Sequence, residues 1–168
     1  MKPLMPELVE MPPRKMAVVT SKGDPNLVGE HVFKPLYGSV FTLKFDLEKR
    51  RVETFKVEPP RARWPDAHLV PKDQWTAHWA LPVPDDTEVL PEKEPATPVR
   101  LETWDYGTVA QILHVGPYSE ESPTVALLHK FIEESGCEIA GCHEEEYLTR
   151  PDSKVVKTII RYQVRKKG

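Results

Sequence analysis

The stretch VRLETWDYGTVAQILHVGPYSEESPTVALLHKFIEESG, residues 99–136, decides the fold. Residues 99–104 read as a strand, and Asp105-Tyr106-Gly107 turns the chain into a second one. There Val109, Gln111, Leu113 and Val115 fall on one face and Ala110, Ile112 and His114 on the other, so this strand is expected to be wet on neither face. Gly116-Pro117 stops it. Ser119 or Ser122 is placed to cap a following helix, with Pro123 suited to the first turn. Val125, Leu128 and Ile132, flanked by Leu127 and Phe131, make the apolar stripe of that helix. Glu120 and Glu121 stand near the positive end of its dipole, and Gly136 ends it. Two more strands are expected at about 138–149 and 155–164, the latter alternating Val156, Ile160, Tyr162 and Val164 with Lys157, Arg161 and Gln163.

Working outward, the first half repeats this order. MAVVTSKGDP reads as a strand ending at Gly23-Asp24-Pro25, and residues 36–47 as a helix with Leu36, Val40, Leu43 and Leu47 on one stripe. Strands are expected at 52–58 and 74–83, the second with Trp75, Ala77, Trp79 and Leu81 on one face. Ala17 precedes Gly23 at the spacing at which Ala110 precedes Gly116, and RWPD (63–66) echoes TRPD (149–152). The expected fold is therefore α+β, one domain over residues 1–168. It consists of tandem strand–helix–strand–strand modules, about 14–83 and 99–166, joined by a proline-rich connection over 82–98. The modules pair into one antiparallel sheet with two helices on one face and a groove between them.

Composition removes several classes of function. A net charge of −3 argues against a dedicated nucleic-acid binder, and Arg165-Lys166-Lys167 reads as a solvated tail. No apolar stretch approaches the roughly 20 residues of a membrane span, and MKPLMPELVEMPP lacks the apolar core of a signal peptide, so a cytoplasmic location is expected. Cys137, Cys142 and His143 lie close together, but a metal would need further ligands at suitable spacing; no metal and no cofactor is expected.

HEEEYLT, residues 143–149, is where chemistry concentrates. On an extended strand His143, Glu145, Tyr147 and Thr149 point one way, and Glu144, Glu146 and Leu148 the other. Adjacent acids are poor strand formers. Either they form a charged, solvated edge that resists aggregation, or they build a site. Tyr37, Trp64, Trp75, Trp79, Tyr118 and Tyr147 are spread over both halves and can serve as core or as an aromatic box for a planar or cationic ligand. No phosphate-cradling loop, nucleophile elbow or HExxH motif is present.

From 99 to 166 the chain resembles the GyrI-like small-molecule-binding family in its stand-alone form, through the stretch quoted above, HEEEYLTRPD and VVKTIIRYQVRK. KGDPN, LYGSVFTLKF and QWT carry a thinner, collinear likeness in the first half. The resemblance implies the tandem modules, a ligand groove between the helices, and flat, apolar, often cationic ligands. The family's pocket acid stands two residues before the Tyr-Leu pair, which places it at Glu145, with Glu144 and Glu146 facing away. Tyr37, Trp64, Trp75, Tyr118 and Tyr147 would line the groove with it. Sequestration or sensing of such ligands is the first functional reading. The alternative is a hydrolase of cyclopropane-bearing alkylating toxins, in which Glu145 activates water and Tyr147 or Tyr118 holds the developing oxyanion. Sensing would work through a partner protein, and inhibition of a topoisomerase by direct contact is the remaining, weaker reading. The sequence departs from the family at the proline-rich 82–98 segment, where a helix is usual and a wall or lid of the groove is then missing. It also departs at Arg150, where an acid is common, and at Pro35, which should move the first helix's start to about Leu36 or kink it.

Overall fold

Met16, Ala17, Val18 and Val19 are all buried, a run that only a strand covered on both faces can hold. The computed structural model describes residues 1–168 apart from the side chain of Glu30. The fold is α+β, and the chain forms two units: Pro13–Trp104, and Asp105–Gly168 together with Met1–Pro12.

The N-terminal residues contribute a strand that the sequence reading did not anticipate, β1 (Glu7–Met11). The Pro13–Trp104 unit contains β2 (Arg14–Lys22), α1 (Pro25–Lys49), β3 (Arg61–Trp64), β4 (Thr76–Pro82) and β5 (Arg100–Trp104). Its strands run antiparallel in the order β3-β4-β2-β5, with α1 against β2 and β4. The other unit contains β6 (Gly107–Val115), a single 3₁₀ turn at Tyr118–Glu120, α2 (Glu121–Glu134), β7 (Cys137–Ile139), β8 (His143–Tyr147) and β9 (Lys157–Lys166). Its order is β8-β9-β6-β1, again antiparallel, with β7 on the far end of β9. The two orders correspond strand for strand. In each unit the outer strand beside the first module strand (β5 on β2, β1 on β6) comes from the stretch of chain that precedes the other unit's first module strand. The shared landmarks are equivalent too: Ala17 and Ala110 are fully buried, and Gly23 and Gly116 take positive φ of 127° and 134° at the turn into each helix, a backbone that favours glycine.

Several expected boundaries are corrected. Helix α1 does not wait for Leu36. Asp24 caps it, its Oδ1 accepting from the Asn26 amide at 2.9 Å, and Pro25 opens the first turn. It runs through Pro35, whose missing N–H would have bonded the carbonyl of the exposed His31, where water can substitute. The strand expected at 52–58 does not form; β3 begins after Pro59-Pro60, which have no amide to give a ladder. The strand expected at 138–149 is broken into β7 and β8. At the break a Cβ on Gly141 would lie 3.1 Å from the Gln163 Cβ, so the chain bends where only glycine fits closely. Neither Ser119 nor Ser122 caps α2, which starts from Glu120 without a side-chain cap, and Leu127 of the expected stripe is exposed.

Residues 83–99 have no helix or strand, yet they are tied to their own unit. Ser39 Oγ on α1 donates to the Pro91 carbonyl at 2.6 Å, and Lys15 Nζ donates to the Thr87 carbonyl at 2.7 Å. Among the described residues no helix is long and apolar enough to cross a membrane.

Candidate functional site

Strand β8 presents different chemistry on its two faces. Glu145 pairs in register with Ile160, a core residue that packs beneath α2 with Ala110, Ile112, Leu128 and Ile132. The alternation of a strand therefore puts His143, Glu145 and Tyr147 on the α2 side and Glu144 and Glu146 on the reverse. The parity read from the sequence holds.

On the α2 side Glu145 is 8% exposed. Its Oε2 lies 2.6 Å from His143 Nε2, and His143 Nδ1 lies 2.7 Å from the Tyr162 hydroxyl. Burial, then the charge of Glu145, pushes the Tyr162 hydroxyl well above its ordinary range, so it keeps its proton. The imidazole bridges the Tyr162 hydroxyl and Glu145, which orients the carboxylate. His129 packs edge-on against Tyr162, and burial followed by His143 pushes its imidazole below the usual value.

The first turn of α2 supplies the second acid. Glu121 lies near Glu145, and its Oε2 is buried without a protein partner. Burial, with the neighbouring charge of Glu145 adding to it, pushes its carboxyl from 4.5 up to about 9. At neutral pH Glu121 is therefore a carboxylic acid. Tyr118, in the turn before α2, meets Tyr147 edge-to-face at 5.8 Å, and burial plus the two acids raise its hydroxyl as well. Thr158, opposite Tyr147 in register, is fully buried with Oγ1 unpartnered. The cluster offers an oriented carboxylate, a proton-bearing acid beside it and two phenols at its edge.

The reverse face corrects the expectation that Glu144 and Glu146 are solvated. Glu144 is 2% exposed and takes hydrogen bonds from Arg161 Nη1 at 2.9 Å and the Tyr106 hydroxyl at 3.0 Å. Arg161 Nη2 donates to Glu146 at 2.9 Å and Nε to Gln111 at 3.2 Å. One buried guanidinium thus holds both acids from the neighbouring strand, and the reading of 143–149 as a solvated edge fails.

Of the residues expected to line a groove, the structure brings Tyr118, Glu145 and Tyr147 together. Tyr37, Trp64 and Trp75 belong to the Pro13–Trp104 unit. There Trp64 meets Trp75 at 5.8 Å and Trp79 at 5.2 Å, while Phe33 links Trp79 to Tyr37. Trp64 and Trp79 are buried core residues of that unit, Trp79 donating to Ser21 Oγ at 2.8 Å; Trp75 and Tyr37 are half-buried on its flank. The residues missed by the sequence reading are Glu121, taken there for a dipole acid, and His143 and Tyr162. His143 was on the correct face by parity; nothing in the sequence joins Glu121 or Tyr162 to it.

Cys137 is buried in the core and Cys142 half-buried, both outside any disulfide, and among the described residues no group of three His, Cys, Asp or Glu can hold a metal ion.

A family model described as a GyrI-like small molecule binding domain matches residues 4–164. Among solved structures, an uncharacterized conserved protein from Listeria innocua is 28% identical, with 97% of this chain and 93% of that one covered at a TM-score of 0.83. A hydrolase from Listeria innocua is 26% identical over the same shares, 97% and 93%, at 0.80. The C-terminal domain of EcmrR, 15% identical over 97% and 98% at 0.68, is alike in fold. No curated protein matches the sequence.

Proposed function

We propose that this chain, which belongs to the GyrI-like small-molecule-binding domain family, binds flat, apolar, cationic molecules beside Tyr118 and Tyr147 with the ligand's charge at Glu145. One observation carries the reading. Of three consecutive acids, Glu144 and Glu146 share Arg161, whereas among the described residues no lysine or arginine pairs with Glu145. A buried carboxylate with no lysine or arginine beside it favours a ligand that brings a positive charge. The phenols add faces for stacking.

The test is titration of rhodamine 6G and of the neutral 1-pyrenemethanol into wild type and Glu145→Gln. The amide is nearly isosteric, so folding is retained. The cation should lose about 1.5–3 kcal/mol, the scale of a charge-assisted hydrogen bond, and the neutral compound much less. Equal losses for the two compounds, or none, would sink the assignment.

A second reading, hydrolysis, is favoured by the acid pair itself and by the similarity to a hydrolase from Listeria innocua. With a cyclopropane conjugated to a carbonyl, Glu145 would take a proton from water as its oxygen bonds to the ring carbon. The ring C–C bond breaks, and its electron pair moves to the carbonyl oxygen. Tyr118 or Tyr147 hydrogen-bonds that oxygen, which then takes up a proton. Product formation from such a compound should fall roughly 10²-fold or more in Glu145→Gln. Binding without turnover in wild type leaves the binding reading alone standing.

A further inference from the structure

We infer that Tyr162 is a positioning residue for Glu145: its hydroxyl holds the His143 imidazole with Nδ1 as acceptor and Nε2–H toward the carboxylate, which fixes the charge offered to a ligand. The inference rests on the binding reading above, in which Glu145 is ionised, and adds to it a residue that acts on Glu145 only through His143.

The pleat brings the three groups together. Glu144 stands opposite Arg161 and Glu145 opposite Ile160, so one step further along the same register His143 faces Tyr162. His143 and Glu145 are alternate residues of β8 and share its α2 face. The phenol therefore reaches the imidazole across the strands, at 2.7 Å from Nδ1, and the imidazole reaches the carboxylate along its own strand, at 2.6 Å from Nε2. The far end of this chain is firmly anchored. Tyr162 is 7% exposed and belongs to the core with Ala110, Leu128, Ile132 and Val164, while His129 of α2 packs edge-on against its ring at 5.2 Å. His143 is more open, its side chain 21% exposed, and one of its two hydrogen bonds comes from this anchor. Counting donors assigns the protons. An ionised carboxylate only accepts, so the contact at Glu145 calls for a proton on Nε2. A neutral imidazole then has an acceptor at Nδ1, and the phenol, which burial keeps protonated, fills it. The opposite tautomer fails at both ends. Nε2 would turn a lone pair to the carboxylate, and the buried hydroxyl's own proton would lose its acceptor, since among the described residues Nδ1 is that hydroxyl's one hydrogen-bond partner. The bond at one nitrogen thus sets the protonation of the other. Without the Tyr162 hydroxyl the imidazole loses one of its two anchors and can turn away from Glu145. A cation depends on where that carboxylate is held; a neutral molecule does not.

Imidazole ¹⁵N spectra of the ligand-free protein at about pH 7.5 read the assignment directly. In wild type His143 should show a protonated Nε2 and an unprotonated, hydrogen-bonded Nδ1. A proton on Nδ1 overturns the inference, and this measurement needs no variant to fold. In Tyr162→Phe, which keeps the ring and removes the hydroxyl, the Nδ1 signal should move to that of an unbonded nitrogen. Rhodamine 6G affinity should then fall about three- to tenfold, the scale of one net hydrogen bond, while that of 1-pyrenemethanol should not change. In a His143→Ala background the same substitution should cost the dye nothing further, because the hydroxyl acts only through the imidazole. Unchanged or raised dye affinity in Tyr162→Phe, equal losses for the two compounds, or full additivity with His143→Ala overturns the inference and leaves the binding reading intact. Failure of wild type to bind either compound overturns both.

Discussion

Replacing Glu121 by Gln should stabilise the protein, and the gain should grow with pH. In the unfolded chain Glu121 ionises at its ordinary value of 4.5, whereas in the fold it holds its proton up to about 9. Across that window the native state binds one proton more than the unfolded state, so stability falls as pH rises. At pH 7, about 2.5 pH units above the ordinary value, a cost of about 1.36 kcal/mol per unit sets a ceiling of about 3.4 kcal/mol. Glu121 is only half-buried, and solvent screening on its open side brings this down to about 1–2 kcal/mol. Gln carries no titrating proton. Urea unfolding should therefore show Glu121→Gln more stable by about 1–2 kcal/mol at pH 7, by more at about pH 8.5, and by almost nothing near pH 4, where wild type is protonated in both states. A gain of the same size at every pH would assign the effect to packing. A loss at about pH 8.5 would refute the protonated Glu121 outright.

On the reverse face, Glu144→Gln should lower stability by about 1.5–3 kcal/mol, because Arg161 and Tyr106 lose a buried charged acceptor, and the more open Glu146→Gln should cost less. Equal, near-zero effects in denaturant unfolding would restore the solvated-edge reading of these acids. Ser39→Ala removes a buried hydroxyl's bond to the Pro91 carbonyl and should cost about 1 kcal/mol; proteolysis within 83–99 should speed up if that bond anchors the connection.

What the sequence disclosed of the fold was what local chemistry enforces. The positive-φ glycines at 23 and 116, the buried alanines ahead of them and the two-faced burial of β6 all follow from short-range pattern, and all are found. The misplaced boundaries share a different cause. VETFKVE alternates as a strand should, but Arg51 turns the chain out of α1 with φ of 55°, and the two prolines that follow postpone pairing until Arg61. A mid-helix proline reads as a break because local propensity penalises it; α1 absorbs it since the cap at Asp24 and the burial of Val32, Leu36 and Val40 outweigh one lost hydrogen bond. β1 was illegible because its partner, β6, lies about a hundred residues away in the chain, and register across such a gap leaves no local trace.

The site divides along the same line. Alternation alone separated Glu145 from Glu144 and Glu146, since neighbours on a strand must face opposite ways. Alternation has nothing to say about what waits on each side. Arg161 lies on the adjacent strand, directly opposite Glu144 in register, and its guanidinium spans to Glu146. That pairing turns two apparently solvated acids into a buried clamp. The clamp also bears on the opposite face: with Glu144 and Glu146 both fixed to β9, the strand between them cannot slip or rotate, and Glu145 is held toward α2 despite the cost of placing it near Glu121. A run of three acids in a strand is thus stable because two share a guanidinium and the third meets an imidazole.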